Sequence, residues 1–223
     1  VFPQCVSAQL SEEPISLESI STDSEDSTTI LRGGKFFAQN CMLCHTMIYL
    51  KNDALAKKAG VLYDKMPINR HDWWFGVEPP DLSLIARVHS ADWLYTYLHS
   101  FYMDPSRKQQ NNNLLRDQTN MPNPFGGMQG QQVLKVTLAH LQNMSGVFAG
   151  KPRYFEVLEL NRQGTMSSEE FDRHIFDVVS FLVYASDPDS GTRSGYGLYV
   201  LLFLGLFIVL TYLLKKEYWR TLK

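Results

Sequence analysis

The chain has 223 residues, a formal net charge of −2 and 44% hydrophobic residues, the balance of a folded protein and not of a disordered tail. No basic stretch occurs outside the last few residues, so no nucleic-acid partner is expected. Three cysteines cannot build a disulfide framework.

At the N-terminus, Val6-Ser7-Ala8 resembles the small-residue end of a processed leader, and Cys5 stands without an evident role. Residues 11 to 29 carry six acids (Glu12, Glu13, Glu18, Asp23, Glu25 and Asp26) among many Ser and Thr and no Lys or Arg. Local burial is not expected to order such a run. Its charge suits the steering of a basic redox partner, because complementary fields raise encounter rates.

A helical pattern begins near Thr29 and leads through Leu31, Phe36 and Phe37 to Cys41-Met42-Leu43-Cys44-His45. In that spacing two thiols can add to the two vinyl groups of a haem while the adjacent imidazole reaches the iron. A thioredoxin-like dithiol and half of a zinc site are the competing readings. The absence of a βαβ pattern around Cys41 and of a second Cys pair weighs against both.

A second helix is expected over Asp92–Met103. Residues 104 to 130 are rich in Asn, Gln, Pro and Gly and read as a long functional loop. That loop holds Met121, followed by Pro122. A thioether favours ferrous iron and is the usual second axial ligand of an electron carrier. Of eight methionines, Met42 and Met47 lie too near His45 to cross a haem plane, and Met103 and Met144 sit in apolar settings where gap filling explains them. Met121 is the leading candidate, with Met128 and Met66-Pro67 in reserve. His71, His89, His99, His140 and His174 are the imidazole alternatives.

Ser167–Ala185 reads as a further helix, opened by Ser and Glu in capping-box spacing and closed near Asp187-Pro188. Tyr196 to Leu214 then runs for nineteen residues without a charge, enough to cross a hydrocarbon core of roughly 30 Å. Lys215, Lys216, Arg220 and Lys223 follow it, so the positive-inside rule places the C-terminus in the cytoplasm and residues 1 to about 190 outside. The expected organisation is an acidic arm over 1–30, a haem-binding domain over 31–190, and an anchor with a short basic tail over 191–223.

Four segments occur in an order that resembles the cytochrome c1 family, the haem subunits of quinol:cytochrome c reductase (cytochrome bc1) complexes, in its shorter bacterial forms. They are RGGKFFAQNCMLCHTM, EPPDLSLIARVHSADWLYTYL, NMPNPFGGMQG and DVVSFLVYASDP, the last leading into a single anchor. The chain departs from the common pattern at Val88-His89-Ser90-Ala91, where His-Gly-Gly is frequent, and at Trp93, where Tyr is.

The resemblance implies a mainly α, class I type cytochrome c domain with loop insertions, plus one C-terminal transmembrane helix. It implies one covalent haem c on Cys41 and Cys44, with His45 and Met121 as axial ligands, the Pro80 carbonyl beside His45, and Arg87 near a propionate. It also implies a respiratory electron-transfer subunit with no catalytic residue of its own, set in a bacterial inner membrane with its haem domain in the periplasm. Cytochrome b and a Rieske iron-sulfur protein are the implied partners, a soluble or membrane-bound cytochrome c the acceptor, and the complex is expected to be dimeric. A free-standing anchored cytochrome, or the c-type subunit of a terminal oxidase, is the alternative. A haem sensor or peroxidase would need a labile sixth ligand.

Overall fold

The structure is a computed structural model that describes residues 14–22, 24–68, 76–135 and 151–220. Cys5, Val6-Ser7-Ala8, Glu12, Glu13, Asp23, His71, His140, Met144 and Lys223 lie outside the described residues. The chain divides into two units, the first ending at Ser186 and the second beginning at Asp187.

Helix α1 spans Ser27–Asn40. Asp26 caps it, accepting from the Thr28 and Thr29 amides at 3.0 and 3.1 Å. Hydrogen bonds from the Thr29 and Thr28 hydroxyls hold this carboxyl well below the usual carboxylate range. The helix buries Ile30, Gly33, Gly34, Phe36 and Phe37 and ends where the Cys41 amide returns to the Phe37 carbonyl at 2.8 Å. The cysteine motif therefore leaves directly from its C-terminus, as the periodicity predicts.

Helices α2 (Ala54–Ala59), α3 (Ile85–Val88) and α4 (Ala91–His99) follow. Strand β1 (Phe101–Met103) pairs antiparallel with β2 (Asn111–Asn113), Tyr102 facing Asn112. Strand β3 (Gly130–Leu134) pairs with β4 (Leu158–Gln163) across a bulge at Gln131/Gln132, and α5 (Tyr154–Val157) precedes β4. Helix α6 covers Ser168–Ser186, with the Ser167 hydroxyl accepting the Glu170 amide at 3.2 Å.

Three expectations are corrected here. The helix expected over Asp92–Met103 stops at His99, because the Ser100 hydroxyl turns back onto the Thr96 carbonyl at 2.6 Å and Phe101–Met103 find a strand partner. The stretch 104–130 is not all loop: Asn111–Asn113 form β2, since tertiary pairing overrides a breaker-rich composition. The acidic segment is not simply solvated either. Ile15 is 1% exposed in a small cluster with Tyr102, Leu114, Val157 and Leu158. The Glu18 and Ile20 amides donate to Thr96 Oγ1 and Asp92 Oδ1, both at 2.9 Å.

The main core lies between α1 and α6, where Phe37 and Phe181 meet with ring centroids 5.7 Å apart. Gly33 permits that approach: a Cβ there would overlap the Asp177 carbonyl oxygen. Arg32 on α1 locks the same crossing, its Nε and Nη2 donating to the buried Asp177 carboxylate at 2.7 and 2.8 Å. Among its described residues the second unit holds one helix, α7 (Ser190–Arg220). Its Gly195–Arg220 stretch reaches a mean hydropathy of 2.5 and buries nothing within the chain, and it is long and apolar enough to cross a membrane.

Gly33→Ala is expected to destabilise the first unit by about 1–3 kcal/mol through overpacking, read as a lowered midpoint in thermal melting of the purified chain. An unchanged midpoint would contradict the close crossing.

Candidate functional site: the Cys41–His45 turn and the Met121 loop

Past the end of α1 the backbone winds into a turn in which the Cys44 and His45 amides both return to the Cys41 carbonyl, at 3.1 and 2.9 Å. Neither cysteine forms a disulfide, and both are half-buried. Burial, aided by the nearby Cys44, pushes the Cys41 thiol up to about 12. It stands as a neutral thiol and not as a reactive thiolate.

His45 is 8% exposed. Its Nδ1 lies 2.8 Å from the Pro80 carbonyl oxygen, and a carbonyl only accepts, so Nδ1 carries the proton and Nε2 keeps its lone pair. Burial lowers the imidazole pKa, against the opposing pull of the Pro80 carbonyl and the Asp81 charge. The side chain is thus a neutral imidazole in the tautomer that leaves Nε2 for a metal.

Asp81, next to that carbonyl, ties the segment to the chain beyond the motif. Its carboxylate accepts from Thr46 Oγ1 at 2.7 Å, the Ile48 amide at 2.9 Å and the Ser83 amide at 2.9 Å. Burial opposes ionisation of Asp81, but these donors together outweigh it and lower its pKa. Arg87, on α3, is exposed and donates from Nε to the Ser186 carbonyl at the end of α6, at 2.7 Å.

Met121 is half-buried in a loop held from several sides. Asn111 Nδ2 donates to the Met121 carbonyl at 3.0 Å, and Arg107 Nη2 to the Thr119 carbonyl at 2.8 Å. Phe125, 1% exposed, packs its ring against Phe36 of α1 and Phe171 of α6 with centroids 6.1 and 5.4 Å apart. The Met121 sulfur lies 3.6 Å from the Tyr97 hydroxyl. Burial raises the Tyr97 pKa, so the phenol keeps its proton.

The other candidates have structural partners. Met66 accepts the Met47 amide on its sulfur at 3.3 Å, and Met42 and Met47 are buried in the main core, against which Met128 packs. His99 sits between the Tyr95 carbonyl at 2.8 Å and Asp172 at 2.9 Å. His89 stacks on Trp93 and His174 on Phe36, with centroids 3.8 and 5.1 Å apart.

Sequence reasoning passed over Tyr97, Thr119, Asp81 and the Asn111–Asn113 triplet. The triplet carried a signal in its three consecutive Asn residues: all are buried, Asn111 and Asn113 donating to the Met121 and Tyr97 carbonyls and Asn112 to the Asp104 and Asp117 carboxylates.

The donor set fits a c-type haem: two cysteines separated by two residues, an adjacent imidazole in the metal-binding tautomer, and a thioether on a restrained loop. Among the described residues no cluster of three or more His, Cys, Asp or Glu offers a site for a bare metal ion.

Comparison with known proteins agrees. The model of the Cytochrome C1 family matches residues 74–222. Cytochrome c1 of Allochromatium vinosum is 36% identical, over 92% of this chain and 88% of that one. A protein named ammonia monooxygenase gamma subunit, from Nitrosomonas europaea, is 36% identical over 96% of this chain and 92% of its own. Cytochrome c1 of Rhodospirillum rubrum is 28% identical over 66% of this chain and 52% of its own. The chain belongs to the cytochrome c1 family, and it is accordingly a membrane-anchored c-type haem protein of electron transport, with Cys41 and Cys44 fitting the haem-attachment motif.

Because the Asp81 pKa is lowered in the folded state, its stabilisation is present above the unfolded value of about 3.9 and is lost as pH falls through the folded one. Asp81→Asn is expected to melt at lower temperature than the parent at neutral pH, the difference shrinking on acidification below about pH 4. A gap constant across that range would refute the ionised role.

Proposed function

We propose that this member of the cytochrome c1 family takes single electrons from a Rieske iron-sulfur protein and passes them to a soluble or membrane-bound cytochrome c. The family makes it an electron-transfer subunit of a cytochrome bc1 complex; the direction and the identity of donor and acceptor are the proposal. The observation that carries it is the His45 Nδ1 contact with the Pro80 carbonyl at 2.8 Å, which prepares one imidazole nitrogen for iron.

When bound, haem c supplies a one-electron Fe(III)/Fe(II) couple, and the chain's residues set how it is held. Cys41 and Cys44 would hold it covalently, and His45 and Met121 would ligate its iron. The Pro80 carbonyl fixes the imidazole plane and raises its basicity. Arg87, its Nε tied to the Ser186 carbonyl, is assigned to a propionate, where a guanidinium neutralises a carboxylate. With His45 and Met121 as its ligands the iron would offer no place to a substrate, and the chain would relay electrons without acid, base or nucleophile of its own.

The basic residues after the apolar stretch support a cytoplasmic C-terminus and a haem domain in the periplasm of a bacterial inner membrane. A dimeric complex with cytochrome b is the assembly that goes with this reading. The name of the Nitrosomonas relative supports a second one, an electron relay serving a monooxygenase.

One experiment separates these. The tagged chain is extracted in mild detergent and a reduced-minus-oxidised spectrum is recorded on whatever accompanies it. Bands of b-type haem in fixed ratio to the c band are expected; a c band alone, or with a monooxygenase, would overturn the reductase assignment. Carbon monoxide should not bind the native reduced protein and should bind Met121→Leu. Strong binding to the parent chain would remove Met121 as ligand.

A further inference from the structure

Met121 does not stand alone in its loop. Its amide donates to Thr119 Oγ1 at 3.4 Å, Thr119 Oγ1 lies 3.1 Å from the Tyr97 hydroxyl, and that hydroxyl lies 3.6 Å from the Met121 sulfur. The three contacts close a ring that starts and ends on the same methionine. Its proton order follows from valence. A thioether has no proton and only accepts, while Thr119 already accepts the Met121 amide and has one proton of its own to give. All members are satisfied in one arrangement: Met121 N–H to Thr119, Thr119 O–H to Tyr97, Tyr97 O–H to Met121 sulfur. Were Tyr97 to donate to Thr119 instead, the sulfur would have no donor.

The ring is built on rigid parts. Tyr97 is 9% and Thr119 4% exposed. The Tyr97 ring is stacked on Trp93, centroids 4.9 Å apart and planes 9° apart, and meets Phe101 edge-on at 5.2 Å. Asn113 Nδ2 holds the Tyr97 carbonyl at 2.8 Å, and Arg107 and Asn111 hold the carbonyls of Thr119 and Met121 at 2.8 and 3.0 Å. The phenol therefore cannot swing away from the sulfur without disturbing the stack.

We propose that Tyr97 is a positioning residue for the axial thioether, its hydroxyl donating to the Met121 sulfur under the direction of Thr119 and thereby raising the reduction potential of the haem. The inference rests on Met121 being the axial ligand. A thioether sulfur has two lone pairs, one for the iron and one for Tyr97. A proton shared with the second pair withdraws electron density from the sulfur, weakens its donation to ferric iron more than to ferrous, and shifts the couple toward the reduced form. Hydrogen bonds near a ligand are an established lever on haem potential.

The test is a redox titration of the c band in the purified complex carrying Tyr97→Phe, which keeps the stacked ring and removes only the hydroxyl. The ferrous-to-ferric ratio at fixed ambient potential is expected to fall about two- to tenfold, tenfold corresponding to a shift of about 59 mV for a one-electron couple. The far-red absorption band of ferric thioether-ligated haem should persist; its loss would support a still stronger positioning role. Thr119→Val is expected to give a smaller shift of the same sign. The double variant should match Tyr97→Phe alone, because Thr119 acts through the phenol. An unchanged potential in Tyr97→Phe with the far-red band intact overturns the inference while leaving Met121 ligation standing, and additive shifts in the double variant overturn the ring. If Tyr97→Phe fails to assemble, Thr119→Val alone decides, an unchanged potential counting against the ring. A parent protein lacking the far-red band overturns the ligation and, with it, the inference.

Discussion

The closeness of α1 and α6 is the constraint on which the rest of the domain depends. Two helices approach this tightly only where one of them lacks a side chain, and Gly33 supplies that gap beneath the Asp177 carbonyl. The Arg32–Asp177 pair then holds the register with charge-assisted bonds at 2.7 and 2.8 Å. Once α1 is pinned against α6, its C-terminus is pinned too, and the haem-attachment turn is one residue further on. The position of the covalent anchor is thus set by helix packing, not by anything in the motif.

The other side of the site is built differently. The Met121 loop carries little regular structure, so it takes its shape from polar tethers and one apolar plug. Phe125 reaches back between Phe36 and Phe171, joining the loop to the same two helices that position the cysteines. The buried side chains of Asn111 and Asn113 and the guanidinium of Arg107 donate to the carbonyls of Met121, Tyr97 and Thr119. The attachment turn and the Met121 loop are therefore both referred to one core.

Electron relay requires little chemistry and much restraint. Burial of His45 keeps it neutral and the Pro80 carbonyl fixes its tautomer, and neither residue has to move or titrate for an electron to pass. The apolar helix of the second unit adds no chemistry; it is long and apolar enough to anchor the chain in a membrane.

Much of this was legible in the chain itself. The Cys41–His45 motif, the helix leading into it, the capping-box helix over Ser168–Ser186 and the uncharged span each rest on local rules of spacing, periodicity and length, and local rules act before the chain folds. Where neighbours compete, the local signal fails: Phe101–Met103 carried a helical pattern but became a strand, and the acidic run around Glu18 was drawn onto the domain by Ile15. The bond between His45 and Pro80, 35 residues apart, the cage of Asn111–Asn113 and the ring of Met121, Thr119 and Tyr97 were decided only by tertiary structure. A hydrogen bond between distant residues depends on where the whole core places them, and no window of sequence contains that information.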